Sequence, residues 1–259
     1  MEMILAIPFG ILIGLVVGTV GGGGAILALP VLVYVLDEGV SAAATASLIV
    51  VALGASVGAG TQAVHGRLCL RVALWFSAPA VAGAYLGTVA GGAVSGRTLI
   101  LLFVPVMFAA AALTLARGES GEDEASASEC PDPTLLAGAA GLVVGVMTGF
   151  FGVGGGFLIV PALTVLLGLA MHLAIATSLA IITVTGLAAL ASHLLEGAVP
   201  NWPLTLVLCA AAAAGAFAGS HLGRRLPART LARAFAAVVA LVAAFLLVDV
   251  LLLGGPPIG

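Results

Sequence analysis

Apolar positions run almost unbroken along this chain, and glycine, proline and a few charged clusters divide it. In the first half the pieces come in two lengths. Residues 3–18 and 25–36 are short apolar segments of 16 and 12 residues, separated by a glycine-rich run. As helices they would reach roughly 24 and 18 Å at 1.5 Å per residue, short of a hydrocarbon core of about 30 Å. Residues 41–64, 70–93 and 98–116 are longer and apolar on every face, which predicts membrane-crossing helices. Four adjacent glycines, Gly21, Gly22, Gly23 and Gly24, follow the first short segment. Each costs about 1 kcal/mol in a helix relative to alanine, and unwound backbone in hydrocarbon has no water to bond. A break is expected there, and something must satisfy the backbone it frees.

The pattern then repeats. Displaced by 131 positions, "GLVVGTVGGGGAILALP" (14–30) falls on "GVMTGFFGVGGGFLIVP" (145–161), with Gly14, Gly18, Gly21, Gly23, Gly24, Leu27 and Pro30 on identical residues. The same displacement carries Ser47 and Leu48 onto Ser178 and Leu179, and Gly66 onto Gly197. At 132 positions, "GAYLGT" (83–88) meets "GAFAGS" (215–220), and Arg97, Thr98 and Phe103 meet Arg229, Thr230 and Phe235. Such a repeat sets the architecture. Residues 1–117 are one copy, 134–259 the other, and 118–133 a linker, all within a single membrane domain. The stretch 117–133 holds six of the eleven acidic residues and reads as a solvated loop.

Composition agrees with the pattern. The chain is 62% hydrophobic and only 7% charged, against about 25% charged in soluble domains. The opening "MEMILAIPFG" carries an acid where a signal peptide needs a base. Cys69, Cys130 and Cys209 have neither CxxC nor metal-ligand spacing and read as packing or loop residues. No metal, cofactor or nucleic-acid partner is expected. With no nucleophile beside a base and no HExxH-type motif, the chain reads as non-enzymatic.

Two topologies fit the segment lengths. If each short pair is one broken crossing, the copies are parallel. If each is a re-entrant hairpin followed by three full crossings, the copies are inverted. Cytoplasmic loops collect arginine. In the inverted arrangement Arg67, Arg71, Arg117, Arg224, Arg225, Arg229 and Arg233 lie inside and only Arg97 outside; the parallel one gives five against three at best. The expected fold is therefore an all-α integral membrane protein of two inverted-topology repeats. Both termini face outward, and the linker is cytoplasmic. Inverted repeats with interrupted helices are characteristic of secondary transporters, with the site near the midplane.

The chemistry of such a site follows from its residues. A glycine-rich turn entering a helix presents free N–H groups at a positive helix end, suited to an anion, and glycine lets a ligand approach closely. Gly21 to Gly24 and their counterparts Gly152, Gly154, Gly155 and Gly156 are the candidate tips. Spaced glycines such as Gly83, Gly87 and Gly91, or Gly215, Gly219 and Gly223, read instead as helix-packing positions. "ATASL" (44–48) and "ATSLA" (176–180) add Thr45, Ser47, Thr177 and Ser178 as hydroxyl donors, unless these bond their own helix. Gln62 and His193 occupy equivalent positions and are candidates for gating or proton transfer.

These residues resemble a known family. The duplicated "GGGGAILALP" and "GVGGGFLIVP", the "ATSL" that follows, and the "GAYLGT"/"GAFAGS" pair are similar to the TauE/SafE sulfite exporters over nearly the whole chain outside the linker. The resemblance implies transport of small sulfur-containing anions, such as sulfite, sulfoacetate or related organosulfonates, across the inner (plasma) membrane. Its glycine motif falls on Gly21 to Gly24, Gly152 and Gly154 to Gly156. Its hydroxyl motif falls on Thr177 and Ser178 and, permuted, on Thr45 and Ser47. The permutation, and Val20 standing where the second copy has Phe151, leave the two copies free to contact substrate unequally. The expected function is export by alternating access, with an anion channel of the same architecture or a carrier of a different small anion as the alternatives. A small anion and the lipid bilayer are the expected partners, and the small-residue faces are compatible with a homodimer.

Overall fold

The computed structural model describes residues 2–66, 68–91, 96–120, 130, 132, 135–151, 156–195 and 200–249, and among these every regular element is a helix. Helix α1 (Glu2–Val20) leads through a 3-10 turn (Gly21–Gly24) into α2 (Ala25–Pro30) and a π-helical turn (Val31–Val35). Then come α3 (Val40–Val64), α4 (Leu70–Gly91) and α5 (Gly96–Ser120). The second half gives α6 (Leu135–Phe151), α7 (Gly156–Pro161), a π turn (Ala162–Leu166), α8 (Met171–Leu195), α9 (Trp202–Gly223) and α10 (Ala228–Val248).

Among the described residues, six stretches are long and apolar enough to cross a membrane: Leu5–Val35, Ala42–Val64, Leu70–Ala90, Met171–Ala191, Trp202–Gly223 and Ala228–Val248. Leu101–Arg117, Leu135–Phe151 and Gly156–Leu166 are shorter apolar helices. Helix α5 itself is 25 residues long, and Leu5–Val35 is not a straight rod. Gly21 has φ +71°, and Gly24 lies so close to α1 that a Cβ on it would overlap the Val17 backbone nitrogen. Residues seven apart in a straight helix are separated by about 10 Å along its axis, so the chain doubles back at the glycines.

The return arms of the two halves are built alike. Pro30 and Pro161 each end an α-helical piece, and the π turn begins at the next residue. Proline has no N–H and crowds the carbonyl four residues back, which widens the helix at that point. Each arm closes with a long backbone bond, Glu38 N–H to Leu32 O and Leu169 N–H to Leu163 O, both 3.1 Å. The residue just before each donor, Asp37 and Gly168, takes the left-handed conformation, φ +51° and +66°.

Close backbone approach holds the halves together. Gly10, Gly14 and Gly18 of α1 face Ala211, Ala212 and Ala216 of α9, while Gly215, Gly219 and Gly223 of α9 face Ile11, Leu15 and Thr19 of α1. The numbers rise together, so α1 and α9 run parallel. Gly141, Gly145 and Gly149 of α6 meet Phe76, Ala80 and Ala84 of α4 in the same way. Residue pairs between α3 and α8 run in opposite order, Gly58 against Leu179 and Gly186 against Ala52, so these helices cross antiparallel. The core lies where the pairs meet, around Phe76, Phe157, Leu179, Ile182 and Phe235, all under 2% exposed. Outward-facing apolar side chains such as Trp75, Tyr85, Leu206 and Leu241 are more than half exposed, the surface expected of helices set in lipid.

Polar contacts gather at the two ends of this bundle. One end has the Tyr34 hydroxyl donating to Asp249 (3.0 Å) and the Asn201 amide donating to Glu38 (2.7 Å). The other has Arg224 Nη1 donating to His65 Nε2 (2.7 Å) and Arg117 Nη2 donating to the Val165 carbonyl (3.5 Å). Two cysteines need correcting. Cys69 and Cys130, read as plain packing or loop residues, are joined in a disulfide at this second end, with Cα atoms 5.5 Å apart, while Cys209 is free and buried.

Candidate functional site

The two glycine regions meet. Gly22 packs on Gly156 so tightly that a Cβ on Gly22 would overlap the Gly156 carbonyl, and a Cβ on Gly156 would lie 3.0 Å from the Gly22 oxygen. All four of Gly21 to Gly24 are buried. Gly152, Gly154 and Gly155 lie outside the described residues. Between Gly22 and Gly156 there is no free space, so at this point the tips touch each other rather than facing across a gap. Phe235 stands behind the first tip, where a Cβ on Gly23 would come within 3.2 Å of its ring. Its sequence counterpart Phe103 packs edge-on to Phe157, centroids 5.2 Å apart, beside the second.

The open space lies alongside that contact. A cavity of about 160 Å³ is bounded by Ala25 and Leu29 of the first return arm, Ser47 and Val51 of α3, Thr88 of α4, Thr148 and Gly149 of α6, and Ile182 and Gly186 of α8. That is several times the roughly 30 Å³ share of one water molecule, room enough for a small oxyanion. Its walls carry three hydroxyls and no charged side chain. Each hydroxyl now donates to a carbonyl of its own helix: Ser47 to Ala44 (2.8 Å), Thr88 to Ala84 (2.9 Å) and Thr148 to Val144 (2.6 Å). A hydroxyl rotates freely, so each can turn its proton towards a guest.

The corresponding region of the other half is shut. Sequence displacement maps Ser47, Thr88 and Gly149 onto Ser178, Ser220 and Gly18. Ser178 and Ser220 are wholly buried. The Ser178 hydroxyl crowds Gly21 and donates to the Ile175 carbonyl (2.8 Å). Thr45 and Thr177 are wholly buried, and Thr177 Oγ1 accepts the Cys69 N–H at 3.4 Å. Of the four expected hydroxyls, only Ser47 lines the cavity. Thr88 and Thr148 were not among the expected site residues. Thr88 could have been found, since it ends the repeated "GAYLGT", whereas Thr148 has Val17 as its counterpart and leaves no mark on the repeat. Gln62 is buried near the end of α3, with no partner for its Oε1 among the described residues. His193 falls in the last turn of α8, and its side chain lies outside the described residues. Because α3 and α8 are antiparallel, these two positions end up at opposite ends of the bundle.

An all-helical, multi-spanning membrane protein with a small hydroxyl-lined hollow beside meeting glycine turns is what the fold and cavity define. The chain belongs to the sulfite exporter TauE/SafE family, whose model matches residues 6–246. A probable membrane transporter protein of Xylella fastidiosa is 35% identical over 164 residues, 62% of each chain. One of Methanocaldococcus jannaschii is 25% identical over 203 residues, 74% of each, and one of Bacillus subtilis 31% over 123 residues, 45% of each. The match thus spans less than two thirds of the Xylella relative's own length. No solved structure matches the chain. Family and relatives support a role in membrane transport.

Proposed function

We propose that this protein is a secondary transporter that exports a small sulfur-containing anion, sulfite, sulfoacetate or a related organosulfonate, across the plasma membrane by alternating access. The carrying observation is the one-sided cavity: open beside Ser47 and Thr88, closed at their counterparts Ser178 and Ser220. In this reading the two halves are inverted repeats, which the antiparallel passage of α3 and α8 supports. The end bearing His65 and Arg224 is cytoplasmic by the arginine rule, as is the linker, and both termini face outward. The cavity then opens towards the outside. One half rocks on the other about the glycine contact and exposes the second set of hydroxyls inside. A closed counterpart favours a carrier over a channel.

Neutral donors suit this task. Each hydroxyl turned onto an oxyanion makes a charge-assisted bond of about 1.5–3 kcal/mol, enough to select the anion without trapping it. A negative interior adds roughly 2.3 kcal/mol per charge per 100 mV in the direction of exit. The test is countertransport in proteoliposomes with a panel of sulfite, thiosulfate, sulfoacetate and taurine. Saturable exchange of one or more sulfur anions is expected, with the KM raised about tenfold or more by Ser47→Ala combined with Thr88→Val. Flux that never saturates would favour the channel, and an unchanged KM would remove the hydroxyls from the site.

A further inference from the structure

The Cys69–Cys130 disulfide lies outside the cavity, and its two sulfurs sit in different surroundings. Cys69 directly precedes α4, is 2% exposed, and accepts the Ala73 N–H on its carbonyl at 2.9 Å, the capping position of a 22-residue helix. The Cys69 N–H donates to Thr177 Oγ1, next to Ser178 of the closed hydroxyl set. Cys130 is exposed, at the far end of the acidic linker. Persistent disulfides are unusual in the cytosol, where such pairs are mostly transient and sensing, and this one lies at the arginine-rich end.

Building on the reading of the chain as a carrier of sulfite-type anions, we propose that sulfite itself opens this disulfide. The lone pair on the sulfite sulfur attacks Cys130 Sγ and forms a new sulfur–sulfur bond. The Sγ–Sγ bond breaks, its electron pair leaves on Cys69 Sγ, and water supplies a proton to that thiolate. Cys130 becomes S-sulfocysteine. Sulfite is the two-electron reductant, and no other co-reactant enters. The direction follows from access: Cys130 is exposed, whereas Cys69 is buried. The product places a negative charge on the linker end and frees it from α4. That loosens the Cys69–Thr177 contact which helps hold the second hydroxyl set shut. Cargo thereby releases a clasp on its own exit path.

Purified full-length protein, incubated with sodium sulfite at neutral pH without denaturant, alkylated and analysed by peptide mass spectrometry, tests the chemistry. The expected result is one SO3 group on Cys130 and one newly alkylated thiol on Cys69. An unreacted disulfide, the SO3 group on Cys69, or two free thiols before any sulfite is added would overturn it. The clasp is tested with sulfoacetate, whose sulfur has no lone pair to attack with. Its exchange in proteoliposomes should rise several-fold after sulfite treatment of the wild type, and equally in the Cys69→Ser, Cys130→Ser double variant; equal rates throughout would overturn the clasp. If the adduct forms while no sulfur anion is carried, the transport reading fails and the reactive disulfide stands. If anions are carried past an inert disulfide, the reverse holds.

Discussion

At Gly22 a single hydrogen stands where any other residue would carry carbon. A Cβ there would overlap the Gly156 carbonyl, which is backbone and cannot swing aside. At Gly23 it would meet the Phe235 ring at 3.2 Å, where a small shift suffices, and at Gly39 it would meet nothing within 4 Å. Gly22→Ala is therefore expected to cost several kcal/mol or to force the tips apart, with anion exchange abolished. Gly39→Ala should leave both stability and exchange unchanged. Thermal unfolding and countertransport of the two variants check this, and a Gly22→Ala protein indistinguishable from wild type would contradict it. The glycine cluster was legible in the sequence because packing asks for glycine at every fourth position, not four in a row. Which glycine touches which was not: the sequence displacement pairs Gly22 with Val153, whereas the fold sets it on Gly156. The disulfide was hidden for a similar reason. Its cysteines are 61 residues apart, and only the docking of the linker end beside α4 unites them.

Among the elements, the return arms followed closely from the pattern, since glycine starts each and a proline interrupts each. The π turns did not, because apolar periodicity does not distinguish five residues of π-helix from the α-helix around them. Pairing of α1 with α9 and α4 with α6 was written in the spaced glycines, but only as a capacity for close approach; the partners emerged from the fold. The closed side has an additional tie at the helix ends. His65 Nδ1 lies 2.7 Å from the Thr61 carbonyl, which requires a proton on Nδ1, and leaves Nε2 to accept from Arg224. This bond links the end of α3 to the turn after α9. Its counterpart positions carry Glu196 and Gly92, so the sequence offers no equivalent pair at the open end. Arg224→Ala should weaken the closed side. In a Cys209→Ala background, a Ser220→Cys thiol, buried in the native arrangement, should then react several-fold faster with an aqueous thiol reagent. Unchanged labelling would mean that helix packing alone keeps that side shut.

For the molecule as a whole, two copies of one sequence occupy unlike states around a shared contact. A repeat alone could not reveal this, because identical motifs predict identical environments. The inequality shows only at paired positions: Ser47 against Ser178, Thr88 against Ser220, one of each pair beside a cavity and the other wholly buried. That asymmetry is what a carrier caught with one gate open requires, and it gives the account its most direct test. In intact cells carrying the Cys209→Ala background, Ser47→Cys and Ser178→Cys are each treated from outside with a membrane-impermeant thiol reagent. The account predicts rapid labelling at Ser47→Cys and none at Ser178→Cys until the cytoplasmic face is exposed. Labelling of both from the same face, or of Ser47→Cys only from inside, would contradict it.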